Sequence, residues 1–185
     1  TAYSSPKQVG TSTDWSSIVC NFGNTLAIKT NGSLWAWGAN TSGKLGLGDT
    51  TNRSSPVQVG ALTNWLRVAC GYYHTVAVKT DGTLWAWGNN SNGQLGQGNT
   101  TSRSSPVQVG TLTNWSLAAV GTAFTISVKT DGTLWTWGTG TSGTLGLGTT
   151  TSYSSPKQVG ALTNWKIVSG VQYFSVATKT DDTLW

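Results

Sequence analysis

One imidazole, His74, six aspartates and two cysteines are the only imidazole, carboxylate and thiol side chains in this 185-residue sequence, which has no glutamate. A Ser-His-Asp arrangement would have to use His74 as its base. Positions offset by fifty or a hundred residues carry Asn24, Phe124 and Phe174, none of which relays a proton, so this register reads as packing or hydrogen bonding at the start of a strand. Asp81, Asp131, Asp181 and Asp182 fall in a turn register, where a carboxylate bonds local backbone. Asp14 and Asp49 remain, and their spacing gives no reason to pair them for acid–base work. One histidine and two cysteines fall short of a four-ligand zinc site, and no acidic run resembles a calcium loop. The expectation is a non-enzyme with no metal and no cofactor. Cys20 and Cys70 share a register filled elsewhere by Val120 and Gly170. Stacked sheets lie about 10 Å apart, too far for a bridge, so free thiols are expected.

The net charge of +5 raises nucleic acid as a partner. Lys29, Lys79, Lys129 and Lys179 share one register, which reads as a solvated ring of single cations and not as a phosphate-tracking groove. Arg53 and Arg103 occupy another register that carries Tyr3 and Tyr153 elsewhere. The G-x-L-G-x-G runs lack the following helix that a dinucleotide loop needs. Nucleic acid is therefore disfavoured. Charged residues are 9% of the chain, against roughly 25% in ordinary domains. A 37% hydrophobic content with 24 glycines still supports a packed core, not disorder. No apolar run approaches the roughly 18 residues of a membrane span. With no methionine and Thr1 at the start, the chain is expected to be a processed product or part of a longer one.

The elements that position these residues follow from a period of 50. Trp15, Trp65, Trp115 and Trp165 form one register; Trp35, Trp85, Trp135 and Trp185 a second; Trp37, Trp87 and Trp137 a third, which accounts for all eleven tryptophans. The four prolines, Pro6, Pro56, Pro106 and Pro156, share one register inside S-S-P-[KV]-Q-V-G. Within a period, residues 75–80 and 84–88 are β-branched and aromatic runs around Asp81-Gly82 and predict a hairpin. Asn31-Gly32 and Asp131-Gly132 repeat that turn, with Gly82 and Gly132 as structural requirements; Asp181-Asp182 lacks the glycine and predicts a strained or altered turn. Leu66–Cys70 supplies a third strand, and Pro56–Val59 a fourth at an edge, where proline is tolerated. The Gly-, Ser-, Thr- and Asn-rich stretch between Trp87 and Pro106 reads as a loop anchored by Leu95.

Four-strand units repeated in tandem point to an all-β propeller of radially packed blades. The run Thr80–Gly98, T-D-G-T-L-W-A-W-G-x-N-x-x-G-x-L-G-x-G, with G-x-x-H-T at Gly71–Thr75, resembles the repeats of the regulator of chromosome condensation family. The pairing of W-G with G-x-L-G-x-G recurs at Trp37/Gly43, Trp87/Gly93 and Trp137/Gly143, so the resemblance spans essentially the whole chain. Gly140 departs from Asn40 and Asn90. The resemblance implies blades of four antiparallel strands, about four in this chain, within a ring or array of seven or eight. Trp35, Trp37, Trp85, Trp87, Trp135 and Trp137 are the expected structural indoles. The chain divides into 1–14, an outer strand of a closing or preceding blade; repeats 15–64, 65–114 and 115–164; and a partial repeat 165–185.

An open stack leaves aromatic faces bare. Each forfeits roughly 150–250 Å² of burial at about 25 cal/mol/Å², and several together cost on the order of ten kcal/mol, the stability of a domain. The expectation is that the end blades are covered by further repeats of a parent chain or by a second copy.

Against this rigid frame, the loop before the hairpin varies most between copies: Asn21–Asn24, Gly71–His74, Gly121–Phe124 and Val171–Phe174. Phe22, Asn24, Tyr72, Tyr73, His74, Phe124, Tyr173 and Phe174 are the candidate partner-binding residues, because amphipathic rings on a loop rim anchor protein or glycan contacts. The resemblance implies protein partners. A binding or assembly scaffold is the first expectation, with a structural subunit of an extracellular or phage assembly and a glycan-binding propeller as alternatives. The near-identical repeats and the Thr/Ser/Asn/Gly surface favour an extracellular, surface or virion setting, bacterial or phage.

Overall fold

The structure, a computed structural model, describes residues 5–185. It is all-β and builds a partial propeller of about four blades. The first blade is β1 (Trp15–Asn21), β2 (Asn24–Lys29), β3 (Leu34–Gly38) and β4 (Arg53–Gln58), antiparallel in that order. The second is β5 (Trp65–Cys70), β6 (His74–Lys79), β7 (Leu84–Gly88) and β8 (Arg103–Gln108). The third is β9 (Trp115–Val120), β10 (Phe124–Lys129), β11 (Leu134–Gly138) and β12 (Tyr153–Gln158). The fourth holds β13 (Trp165–Gly170) and β14 (Ser175–Lys179), with a single bridge from Thr178 to Leu184. Pro56, Pro106 and Pro156 lie in β4, β8 and β12, the free edges where a missing N–H costs nothing. The outer strand expected in 1–14 begins in residues outside the described part, and residues 5–14 join no sheet.

The hairpin turn explains why each blade carries its second tryptophan where it does. Asp81 Oδ1 accepts from the Thr83 backbone N–H at 3.0 Å and from its hydroxyl at 2.6 Å; that hydroxyl in turn accepts from Trp85 Nε1 at 2.8 Å. The same relay runs through Asp131, Thr133 and Trp135, and through Asp181, Thr183 and Trp185. Gly82, at φ +75°, is required twice over, because a Cβ there would also collide with the Thr113 carbonyl at the end of the same repeat. In the fourth copy the turn keeps its form, Asp182 N–H donating to the Lys179 carbonyl at 3.0 Å as Gly82 does to Lys79. The strain foreseen there falls on one residue, Asp182, held at φ +61°.

Blades are joined by the Gly-rich loops. The loop after β3 reaches over the second blade, where the Lys44 carbonyl accepts from Trp87 Nε1 at 3.0 Å and from Thr75 Oγ1 at 2.8 Å. One blade on, the Gln94 carbonyl accepts from Trp137 Nε1 at 2.9 Å and Thr125 Oγ1 at 2.8 Å. Gly46 and Gly96 permit this approach: a Cβ would stand 2.7 Å from Trp87 Nε1 and 2.8 Å from Trp137 Nε1. Leu45, Leu95 and Leu145 anchor the loops in the core as expected. That core lies between blades, with Trp87 packed against Leu26, Leu34 and Leu45. Trp37, with no such loop over it among the described residues, is only half-buried.

Candidate functional site

The β1–β2, β5–β6, β9–β10 and β13–β14 loops gather around one depression, lined by Asn21, Phe22, Tyr72, Gly121, Thr122 and Gln172. In the first of these loops Phe22 and Gly23 make a two-residue turn with φ of +35° and +79°. The turn projects the Phe22 ring outward, 61% exposed. It stacks on Tyr72 with ring centroids 3.6 Å apart and planes 30° from parallel; Tyr72 meets Tyr73 edge-on at 4.3 Å.

Beneath this stack lies Lys44. Its Nζ donates to the Phe22 carbonyl at 3.2 Å and the Tyr72 carbonyl at 3.1 Å, clamping two adjacent loops, and sits 6.0 Å from the Phe22 ring. Burial holds its pKa below the usual lysine range. A second depression of about 440 Å³ opens beside it between Phe22, Gly23, Ala39, Thr41, Tyr72 and Tyr73. Rigid ring faces over a fixed cation suit an apolar or aromatic side chain of a partner.

Sequence reasoning did not find Lys44. The signal was its place in a register that reads Gln94 and Thr144 in the other copies.

The remaining candidates separate. Asn24, His74 and Phe124 are the first residues of β2, β6 and β10 and are buried, His74 and Phe124 against the neighbouring blade, which leaves none of the three exposed to a partner. Their expected place among the partner contacts is corrected on that ground. The His74 ring, 0% exposed, donates from Nε2 to Thr125 Oγ1 at 3.0 Å, since that hydroxyl spends its own proton on the Gln94 carbonyl. Burial pushes the His74 pKa down to about 3. Tyr173 and Phe174 are exposed. Phe174 occupies the register of Phe124, 63% exposed against 0%, because no blade covers it in this structure.

The lysine register is also corrected. Lys79, Lys129 and Lys179 are buried as side chains, each ammonium lying beside two indoles of its own blade. Lys79 Nζ lies 4.7 Å from the Trp65 ring and 3.6 Å from Trp85; Lys129 Nζ lies 4.8 Å from Trp115 and 3.7 Å from Trp135. The pairing register places Trp65 opposite Lys79 and Trp115 opposite Lys129 across the sheet.

Among the described residues no three His, Cys, Asp or Glu side chains gather as metal ligands. Asp14 pairs with Lys29 at 3.1 Å and Asp49 with Arg53 at 2.6 Å. Cys20 and Cys70 are free, and burial pushes the Cys70 thiol up to about 12, far from a nucleophile's range. No helix among the described residues is long and apolar enough to cross a membrane.

Comparison with known proteins agrees with this architecture. A family model described as "Regulator of chromosome condensation (RCC1) repeat" matches residues 31–78, 81–128 and 131–177, and a second model of the same description matches 15–44 and 66–94. Among solved structures, human WBSCR16 is similar with a TM-score of 0.81 at 22% identity, covering 92% of this chain and 46% of its own. Prp20p from Saccharomyces cerevisiae, described for its binding to Gsp1p and histones, is similar with a TM-score of 0.79 at 19% identity, covering 91% and 45%. A yeast RCC1 (Prp20) structure with Kap60 bound gives a TM-score of 0.79 at 19% identity, over 91% and 44%. The chain thus spans less than half the length of these structures.

Proposed function

The chain belongs to the regulator of chromosome condensation (RCC1) repeat family, and on that premise we propose that it is a non-catalytic scaffold that recognises a protein partner through the loops of one rim. The observation that carries this reading is the Phe22–Tyr72–Tyr73 stack, with Phe22 and Tyr73 exposed and Tyr72 half-buried between them, braced from below by Lys44. Large rings kept on the surface lose burial energy that a free monomer has no reason to give up, whereas the same rings are the usual anchors of an interface. Yeast Prp20p binds proteins, which supports a protein partner over a small molecule. The test is capture from a source extract on immobilised wild-type protein beside a Phe22→Ser/Tyr72→Ser variant of unchanged melting temperature. The reading expects a protein retained by the first and lost from the second. Equal retention by both, or saturable glycan binding lost in the variant, would move the function elsewhere.

A second reading, self-association, draws on the last blade. Ile167, Phe174, Val176, Leu184 and Trp185 are exposed on it, although Ile126, Val128 and Phe124 of the third blade are covered by their neighbour. Such a face accepts another blade, from further repeats of a ring of seven or eight or from a second copy. Native mass measurement separates the cases: a dimer or polymer supports self-association, and a monomer at high micromolar concentration removes it.

A further inference from the structure

The opposite ends of the strands, away from the aromatic loops, hold a second feature that differs between copies in an informative way. In the first copy the register lysine is fully partnered: Lys29 Nζ donates to Ser12 Oγ at 2.9 Å and pairs with Asp14 at 3.1 Å. In the second and third copies Ser12 is replaced by Leu62 and Leu112, and Asp14 by Asn64 and Asn114. Lys79 and Lys129 accordingly have indole faces beside them and, among the described residues, no protein hydrogen-bond acceptor or ion pair. Asp131, whose charge Lys129 feels, has its Oδ1 engaged by Thr133.

Lys129 is 6% exposed, and lines a groove of about 580 Å³ between the second and third blades. The groove's walls are Trp115, Trp135, Leu112 and Pro156, with Gln108 and Ser155 as polar neighbours. An ammonium with three donors and no protein acceptor, lining an open and largely apolar groove, has hydrogen bonds to offer a ligand. The first copy shows one group that pairs with this ammonium, a carboxylate.

We propose that the groove at Lys129 is a docking site for an acidic segment of a protein, a glutamate or aspartate side chain binding Lys129 Nζ while its flanking residues lie along Leu112 and Pro156. The chain's net charge of +5 favours such a partner's approach. The carboxylate makes a charge-assisted hydrogen bond between two indole faces, where screening by water is weak. This site is independent of the Phe22 rim and lies on the other side of the blades.

The experiment uses hexaglutamate as the probe and the indole N–H resonances of Trp115 and Trp135 as the readout. Its key variant is Leu112→Ser/Asn114→Asp, which transplants the first copy's own acceptors beside Lys129 and so retains a fold the chain already uses. Wild-type protein is expected to show saturable shifts of those two resonances that weaken with salt, and the double variant to bind roughly tenfold more weakly or not at all. Hexaglutamine is expected to do nothing. Absence of shifts in the wild type, equal affinity in the double variant, or shifts caused by an oligouronate but not by hexaglutamate would each overturn the proposal. Phe22→Ser/Tyr72→Ser leaves hexaglutamate binding unchanged, so this test stands apart from that of the rim.

Discussion

Trp87 donates its indole N–H to the main-chain oxygen of Lys44, 3.0 Å away in the loop of the preceding blade. Trp137 repeats the bond to Gln94 at 2.9 Å. One contact thus explains two sequence features, the third tryptophan register and the glycine two residues past each accepting carbonyl.

Gly96→Ala tests this joint. Its Cβ would press on Trp137 Nε1 at 2.8 Å and on Val109 Cγ1 at 3.1 Å, at a backbone φ of +72°. We expect a loss of about 2 kcal/mol or more in urea unfolding. Gly148→Ala, where a Cβ meets nothing within 4 Å, isolates the backbone cost alone and should lose about 1 kcal/mol.

Acid stability reads the buried imidazole. His74 titrates near 3 in the folded chain and near its ordinary 6.5 when unfolded. Above pH 6.5 neither state is charged and the contribution is complete. As pH falls from 6.5 toward 3 the unfolded chain takes up the proton first, and stability drops at up to about 1.4 kcal/mol per pH unit. His74→Phe installs the residue that the third copy already packs in this register. Its stability-versus-pH curve should be flatter than wild type across that window, whereas parallel curves would mean the ring is not sealed.

The turn glycines supply an internal contrast. Gly82→Ala drives a Cβ into the Thr113 carbonyl and should cost about 3 kcal/mol or more. Asp182 already occupies the equivalent left-handed position at φ +61°, with its carboxylate bound by Lys166 at 2.9 Å. Asp182→Gly should therefore change the unfolding midpoint by less than about 1 kcal/mol in equivalent stability.

Phe22 combines a left-handed backbone with an exposed ring, two costs at one residue. Phe22→Asn suits the turn better and should raise stability by about 0.5–1 kcal/mol in thermal or urea unfolding, while removing partner capture. A gain in stability with capture intact would show the ring to be idle.

Much of this was legible from the 50-residue period, because strand alternation, turn glycines and edge prolines are local signals. The strands from Trp65 to Gln108 lie where β-branched runs and Asp81-Gly82 placed them. What depends on the neighbouring blade was not legible. The register of His74 and Phe124 reads as packing at the start of a strand, yet both also stand among the candidate partner contacts, because the burial that removes them comes from the next blade, fifty residues on. The lysines were read as solvated because a charge register implies water unless its partners are known. Lys79 is instead enclosed by Trp65 across the strand pair and by Trp85 beyond the turn. Lys44 escaped notice because its partners, the carbonyls of Phe22 and Tyr72, belong to two different blades.

The rim's role in protein recognition is tested most directly by site-specific photocrosslinking. A photoreactive phenylalanine analogue is placed at position 22 in one protein and at the exposed Leu162 in another, and each is irradiated in an extract of the source organism. The account predicts a discrete protein adduct from position 22 that is absent from position 162. No adduct at 22, or the same adducts from both positions, would contradict it.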